Sequence, residues 1–385
     1  MGGRAFTMEK GELCRADGRP LSAEDALRAG LAAGRMKRGG AVGAGRGDSP
    51  AARALLLAAE SGVLQSGSSL WGFGSCFESQ FLYCCGRSGA SGGIFVDFAG
   101  RLRPVSGGGL PLSLEEEEQF LRLMEEPARL PASGNGWGAC VSMGSLREMY
   151  RVELFKAAET GLSGLTACVK CANPLIRRLM EEAMAELGCR VREGGVVLQI
   201  SADGRDISAY QEVQDYIFTD RVLCLVCLDL FRRGQDAAVP ASAPRALDGA
   251  AAAWGRRLFR YEDGFPSPTD RKARALGARQ LFLRDGPMLG MRLLSILRRN
   301  GGGLAGLQKD IPVFAQVSRT IPAGKAAALR AAVLSLPLGE LRVRPVRGGR
   351  FAFLAAESGS MEAAEELCRL GEEKIAAGEA PDSHT

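Results

Sequence analysis

The chain has 385 residues, 46% of them hydrophobic and 24% charged. This balance suits globular domains, roughly two to four at this length. Its 49 basic and 44 acidic residues leave a net charge of +5, too even to argue for a nucleic-acid partner. The single histidine, His384, sits in a polar tail, which argues against a Ser-His-Asp or Cys-His nucleophile pair and against a histidine metal cage. Eleven cysteines are scattered along the chain and no apolar segment opens it, so free thiols in a reducing cytoplasm are expected. The most apolar run, Val222 to Phe231, is about half a membrane span and contains Asp229, so no membrane partner is expected.

In chain order, strand alternates with helix. Ala41–Gly43 reads as a strand, and Ser49-Pro50 as the cap and first turn of a helix. A strand near Leu70–Phe73, a helix near Glu78–Cys85 and a buried strand at Gly93–Val96 follow. Ser113-Leu114-Glu115-Glu116 is a capping-box pattern opening a helix to about Glu126. Residues 127–140, rich in Pro, Gly, Ser and Asn, read as a linker. Beyond it, Leu165–Cys171 reads as a strand and Asn173-Pro174 as the start of an amphipathic helix ending at Gly188. Further elements are a helix at Asp220–Arg233, a strand at Ala237–Val239, a helix from Pro244 to Trp254, a strand at Arg257–Arg260 and a helix at Gly286–Arg299. Strands near Val313–Val317, Leu341–Arg344 and Phe351–Ala355 precede a helix from Ser360 to Ala376. The pattern predicts an α/β protein of three to four units with mainly parallel mixed sheets and a smaller C-terminal α+β unit. The expected boundaries are 1–140, 141–235, 236–308 and 309–385.

Several motifs have simpler readings. Gly43-Ala44-Gly45-Arg46-Gly47-Asp48 nearly matches a dinucleotide loop, but its third glycine falls one position early, so a strand-to-helix turn is expected. Gly89-Ala90-Ser91-Gly92-Gly93 matches G-x-S-x-G, yet the order is helix then strand, the reverse of a nucleophile elbow. Cys168 and Cys171 fall in a strand, where residues three apart face opposite ways. Cys224 and Cys227 lie on the apolar stripe of a helix and read as core. Arg344, Arg347 and Arg350 cluster around a Gly-containing turn between strands, where guanidinium and backbone N–H groups could hold a phosphate.

Taken in order, segments over roughly residues 20–378 resemble the α-D-phosphohexomutase family, the phosphoglucomutases and phosphomannomutases. Gly45-Arg46, Asp48 and Ser49-Pro50 are similar to the family's first strand-to-helix turn. Gly92-Gly93-Ile94-Phe95-Val96 resembles the strand leading to its catalytic serine loop, and Gly108-Gly109-Leu110-Pro111 the segment after it. Val169-Lys170-Cys171-Ala172-Asn173 resembles the strand opening the second domain, and Arg284-Asp285-Gly286 a segment of the third. Val343-Arg344-Pro345 and Ala356-Glu357 are similar to parts of the fourth. The resemblance implies phosphoryl transfer between the 1- and 6-positions of a hexose through a phosphoserine, in carbohydrate metabolism. Magnesium on clustered aspartates, a sugar loop and a C-terminal phosphate loop assist it.

The sequence departs from each of these parts. Extending the strand after Gly92-Gly93 without gaps puts Ala99 at the nucleophile position, with Asp97 two residues earlier on the same strand face and the weaker candidate for a catalytic role. Asp203 and Asp206 are remnants of a metal loop with altered spacing and Arg205 between them; no magnesium site is expected, although active members use the metal. The sugar loop is missing between Glu262 and Gly286. Arg344-Pro345 remain of the phosphate loop, followed by Val346-Arg347-Gly348. The expectation is a degenerate mutase with activity lost or weak. Its rivals are a non-catalytic sugar-phosphate-binding or regulatory protein, and an interaction subunit that pairs with an active mutase or a sugar nucleotidyltransferase.

Overall fold

The computed structural model describes residues 5–36, 39–127, 136–211, 216–301, 303–323, 329–347 and 349–377. Most of the expected linker, Gly348 and His384 lie outside these residues. From edge to edge, the first sheet runs Phe6–Glu9, Glu12–Arg15, Leu102–Ser106, Gly92–Val96, Ala41–Arg46, Ser69–Ser75 and Cys140–Ser142. The last four strands are parallel, whereas the first three join through antiparallel pairings. Residue 140 therefore begins the last strand of this sheet.

A second sheet orders Ile207–Tyr210, Val196–Ile200, Thr166–Lys170 and Arg190–Val191, and a third pairs Ala237–Pro240 with Leu258–Tyr261 in parallel. The C-terminal sheet, Ala315–Pro322, Phe351–Ser358, Gly339–Val346 and Ala332–Leu336, is antiparallel throughout. Helix Met361–Ala376 lies against it and shares its core through Leu367 and Cys368. The architecture is the expected one: α/β units with parallel and mixed sheets, closed by an α+β unit.

Local chemistry starts the helices where the sequence signals them. Ser49 Oγ accepts from the Ala52 N–H at 3.1 Å ahead of Pro50. Asn173 caps Leu175 ahead of Pro174, Ser113 and Glu116 close a full capping box, and Ser360 caps Ala363. Each cap satisfies an N–H that the helix leaves open. No described helix is long and apolar enough to cross a membrane, and all eleven cysteines are free.

The glycine-rich motif of Ala41–Arg46 has a packing explanation. A Cβ on Gly43 would meet the Phe73 ring at 2.7 Å, and one on Gly45 would meet the Phe81 ring at 2.6 Å. The glycines let aromatic rings rest on the strand. A tighter case joins helices Ala23–Met36 and Pro50–Gln65. A Cβ on Gly62 would strike the Leu27 carbonyl oxygen and come within 2.8 Å of the Leu31 nitrogen, backbone atoms that no rotamer change can move. Alanine is better than glycine in a helix by roughly 0.5–1 kcal/mol, but forced separation of packed backbones costs about 1–3 kcal/mol. Gly62→Ala should therefore lower the unfolding temperature by several degrees. An unchanged or raised midpoint would show that the helices can part freely.

Candidate functional site

Strand Gly92–Val96 stops at Asp97, which begins a tight turn. The Gly100 N–H donates to the Asp97 carbonyl at 3.0 Å, and the Asp97 N–H to the Arg101 carbonyl at 2.9 Å. The Asp97 carboxylate accepts from the N–H groups of Ala99 and Arg101, each at 2.9 Å, and from Arg101 Nε at 2.6 Å. The strand expected to extend through Ala99, with Asp97 and Ala99 on one face, is thus corrected. Asp97 satisfies three donors of its own turn, and Gly100 at φ +81° supplies the left-handed residue. Beside it, the Ser49 hydroxyl is engaged twice, accepting from Ala52 and donating to the Phe98 carbonyl at 2.8 Å.

From this turn a chain of alternating charges crosses to the second sheet. Asp97 pairs with Arg101 at 2.6 Å and Arg101 with Glu12 at 3.2 Å. Glu12 also pairs with Arg103, which reaches Glu78 at 3.3 Å, and Glu78 meets Arg205 at 3.4 Å. Three acids and three arginines neutralise one another. Burial pushes the Glu78 carboxyl up, against the pull of Arg205 and Arg103. Such a closed chain offers little net field to a developing phosphoryl charge.

Magnesium does not fit the loop after Ile200. Asp203 Oδ1 accepts from Ser201 Oγ at 2.5 Å and from the Arg205 N–H at 3.0 Å. The Asp206 N–H donates to the same serine hydroxyl at 2.9 Å. Arg205, between the two aspartates, puts a cation of the protein's own into the cluster. Among the described residues no group of three His, Cys, Asp or Glu side chains could hold a metal ion. The C-x-x-C pairs do not alter this: Cys224 and Cys227 are buried on helix Thr219–Arg232, where burial pushes both thiols up, Cys227 to about 12.

Arg344, Arg347 and Arg350 border one cavity of about 550 Å³, shared with Phe6, Glu117 and Gly264. Arg344 is 9% exposed. Its guanidinium lies against the edge of an aromatic pair, 5.4 and 5.3 Å from the ring centroids of Phe265 and Phe353, which are themselves 6.5 Å apart. Its Nε is buried without a hydrogen-bond partner. Arg342, two residues earlier, pairs with Glu340 at 2.6 Å and Glu357 at 3.3 Å, whereas Arg344 has no such ion pair among the described residues. Burial pushes the Arg344 pKa down, against the pull of Asp263, Glu117 and Glu9. Opposite it, burial lifts the Glu117 carboxyl to about 7, with Arg344 working the other way. An unpaired buried cation is costly, and an anion entering the cavity would supply its partner.

The other two arginines are partly engaged. The turn Arg347–Arg350 leans on the N-terminal hairpin, with the Arg347 N–H donating to Glu9 Oε1 at 2.7 Å and Arg350 Nη2 to the Ala16 carbonyl at 2.9 Å. The Arg347 guanidinium sits 4.9 Å from the centroid of the Phe351 ring. The arginines are thus brought together, but Ala99, Asp97, Asp203 and Asp206 do not border their cavity. Glu9, Glu12, Glu117, Phe265 and Phe353 escaped the sequence reading. Of these, Glu117 alone had a local signal, in the acidic run that opens its helix.

The segment Arg284-Asp285-Gly286 is a junction. Arg284 Nη2 donates to the Gly108 carbonyl at 2.7 Å. Both Asp285 carboxyl oxygens lie 2.9 Å from the Tyr150 hydroxyl, and Oδ1 accepts from the Met288 N–H at 2.9 Å. Burial raises Asp285 to about 7, opposed by these donors and Arg284. An acid whose folded pKa is raised contributes stability that is full below its unfolded value, near 4, and is lost as pH rises through about 7. Glu117 acts in the same sense. Unfolding temperature should therefore fall between pH 5 and pH 8. Asp285→Asn, which keeps a capping oxygen, should flatten that slope by an amount on the order of 3 kcal/mol. Parallel curves for the two proteins would contradict this account of Asp285.

No protein-family profile and no curated protein matches the sequence. Solved structures do match, and they define the fold as that of the α-D-phosphohexomutases. A phosphoglucomutase/phosphomannomutase family protein from Burkholderia thailandensis is 16% identical, with a TM-score of 0.68 over 97% of this chain and 98% of its own. A putative phosphomannomutase from Thermus thermophilus is also 16% identical, with a TM-score of 0.63 over 97% and 100%. An N-acetylphosphoglucosamine mutase from Aspergillus fumigatus, solved with GlcNAc-6P and magnesium, is 13% identical, with a TM-score of 0.51 over 88% and 77%.

Proposed function

We propose that this protein binds a hexose phosphate, or a closely related anion, without performing the mutase reaction. The observation that carries the reading is Arg344: a buried guanidinium, resting against two phenylalanines and lacking an ion pair among the described residues, at the wall of a cavity of about 550 Å³. Arginine presents paired N–H donors that match phosphate oxygens. The turn at Asp97–Gly100 and the neutralised chain from Asp97 to Arg205 support the loss of phosphoryl transfer, since the Ser49 hydroxyl beside the turn is already committed and no group of three His, Cys, Asp or Glu side chains among the described residues could hold a metal ion. The test is calorimetric titration of glucose 1-phosphate, with inorganic phosphate as the comparison. The reading expects saturable binding in the millimolar to micromolar range, and glucose 1-phosphate binding more tightly than phosphate.

A second reading is favoured by the edge of the first sheet. Strand Cys140–Ser142 is exposed along its length, with Trp137 and Val141 beside and within it, an arrangement open to a partner strand. Under that reading the protein is an interaction subunit, paired with an active mutase or a sugar nucleotidyltransferase. Recovery of such a partner by pull-down, together with no heat from either anion, would support it over the first.

A further inference from the structure

A second cavity, of about 310 Å³, opens between helices Glu78–Ser88, Leu146–Ala158 and Gly286–Arg299 and shares no lining residue with the Arg344 cavity. Its wall carries Arg87, Lys156, Arg279 and Arg292. One acid lines it, Glu153, shared by Lys156 at 2.8 Å and Arg87 at 3.9 Å. Arg292 is held by stacking on Phe282, 3.9 Å from the ring centroid, and by an ion pair to Glu159 outside the cavity. Arg279 is exposed at the rim and makes no ion pair among the described residues. Tyr83 also borders the cavity and is 1% exposed. Its hydroxyl is buried without a well-formed hydrogen bond.

We propose that this cavity is a separate binding site for a small, multiply charged anion of the phosphate or pyrophosphate class. Four cations, opposed by Glu153 in the wall and by Glu159 behind Arg292, leave a local excess of positive charge, and partly buried walls concentrate its field. Arg292 is fixed in place before any ligand arrives, so little conformational freedom is lost on binding. The buried Tyr83 hydroxyl is a neutral donor, since burial and Glu153 both raise its pKa. A phosphate oxygen would give it the acceptor that the protein does not. Arg87, Lys156 and Arg279 stand at the mouth, where they can attract the anion and close around it.

The test uses the full-length chain with inorganic pyrophosphate as the probe. The Arg344→Ala background removes the most buried of the first cavity's three arginines. Calorimetry at low ionic strength should still detect a saturable site. Arg279→Ala and Arg87→Ala should each weaken it about tenfold or more, and Tyr83→Phe should weaken it severalfold. Affinity should fall steeply with added salt, because the mouth is solvent-exposed. Loss of all binding in the Arg344→Ala background overturns this site and leaves the first one standing. Binding that persists unchanged in the Arg279→Ala/Arg87→Ala double variant overturns it as well. Both arginines are exposed, so folding of these variants is readily checked by their unfolding temperature.

Discussion

Purified protein incubated with glucose 1-phosphate or mannose 1-phosphate and magnesium is expected to form no 6-phosphate above the level of a protein-free control. The mutase reaction that the sequence resemblance implies needs a serine hydroxyl, and Ala99, which gapless extension of the strand puts at that position, has no oxygen to carry the group. The nearby Ser49 hydroxyl is already committed to Ala52 and the Phe98 carbonyl. Removing a nucleophile costs well-studied enzymes on the order of a millionfold in rate, so the deficit should be visible in any standard assay. A stronger form of the prediction is that Ala99→Ser does not restore turnover. Residue 99 sits inside a turn whose N–H groups are held by Asp97, and the loop at Asp203–Asp206 carries Arg205, paired with Glu78, rather than a cluster of carboxylates. A hydroxyl placed there would lack both approach and electrostatic support. Asp97→Asn should likewise leave catalysis at background. Activity that survives repurification, or appears in Ala99→Ser, would return the protein to the active mutases.

The second large effect concerns Arg344. Its replacement by alanine should weaken binding of glucose 1-phosphate by roughly 10- to 150-fold, the equivalent of one charge-assisted contact of about 1.5–3 kcal/mol. Arg350→Ala should have a smaller effect, because its guanidinium already donates to the carbonyls of Arg347 and Ala16, and so should Arg347→Ala, because its guanidinium is exposed and rests on the Phe351 ring. Arg344→Lys should not rescue, since an ammonium group lacks the planar, paired donors of a guanidinium. Arg344→Met separates binding from stability. It retains much of the packing against Phe265 and Phe353 and removes a buried charge without an ion pair among the described residues, a change that is often neutral or stabilising. Its unfolding temperature should be no lower than that of the wild type, while its affinity falls as in the alanine variant. If Arg344→Met binds as well as the wild type, the guanidinium is a packing element and the cavity is not its site.

Much of the fold could be read from the chain because the signals are local. Ser49-Pro50, Asn173-Pro174 and the Ser113/Glu116 pair begin helices through contacts within a few residues of themselves. The N-terminal hairpin was missed because its strands are short and charged, and because Lys10-Gly11, at φ +51° and +76°, lacks the Asn-Gly or Asp-Gly sequence that usually marks such turns. The turn at Asp97 could have been found. Asp at the first position and Gly at the fourth suit a common turn type, but reading the apolar strand onward without a break obscured it. The candidate site was legible in part. The arginine cluster and its turn are contiguous in sequence. The partners that give Arg344 its meaning come from residues 117, 263, 265 and 353, which only the tertiary fold assembles. The same holds for Glu12 and Glu78, which link the Asp97 turn to Arg205 across segments far apart in sequence.

The claim that ties these points together is binding without turnover, and phosphorus NMR of glucose 1-phosphate in the presence of the protein and magnesium reads both halves at once. The 1-phosphate resonance is expected to broaden or shift as protein is added, Arg344→Ala to need a far higher concentration for the same change, and no 6-phosphate resonance to grow in over prolonged incubation. A growing 6-phosphate signal, or a 1-phosphate signal that responds equally to wild type and Arg344→Ala, would contradict it.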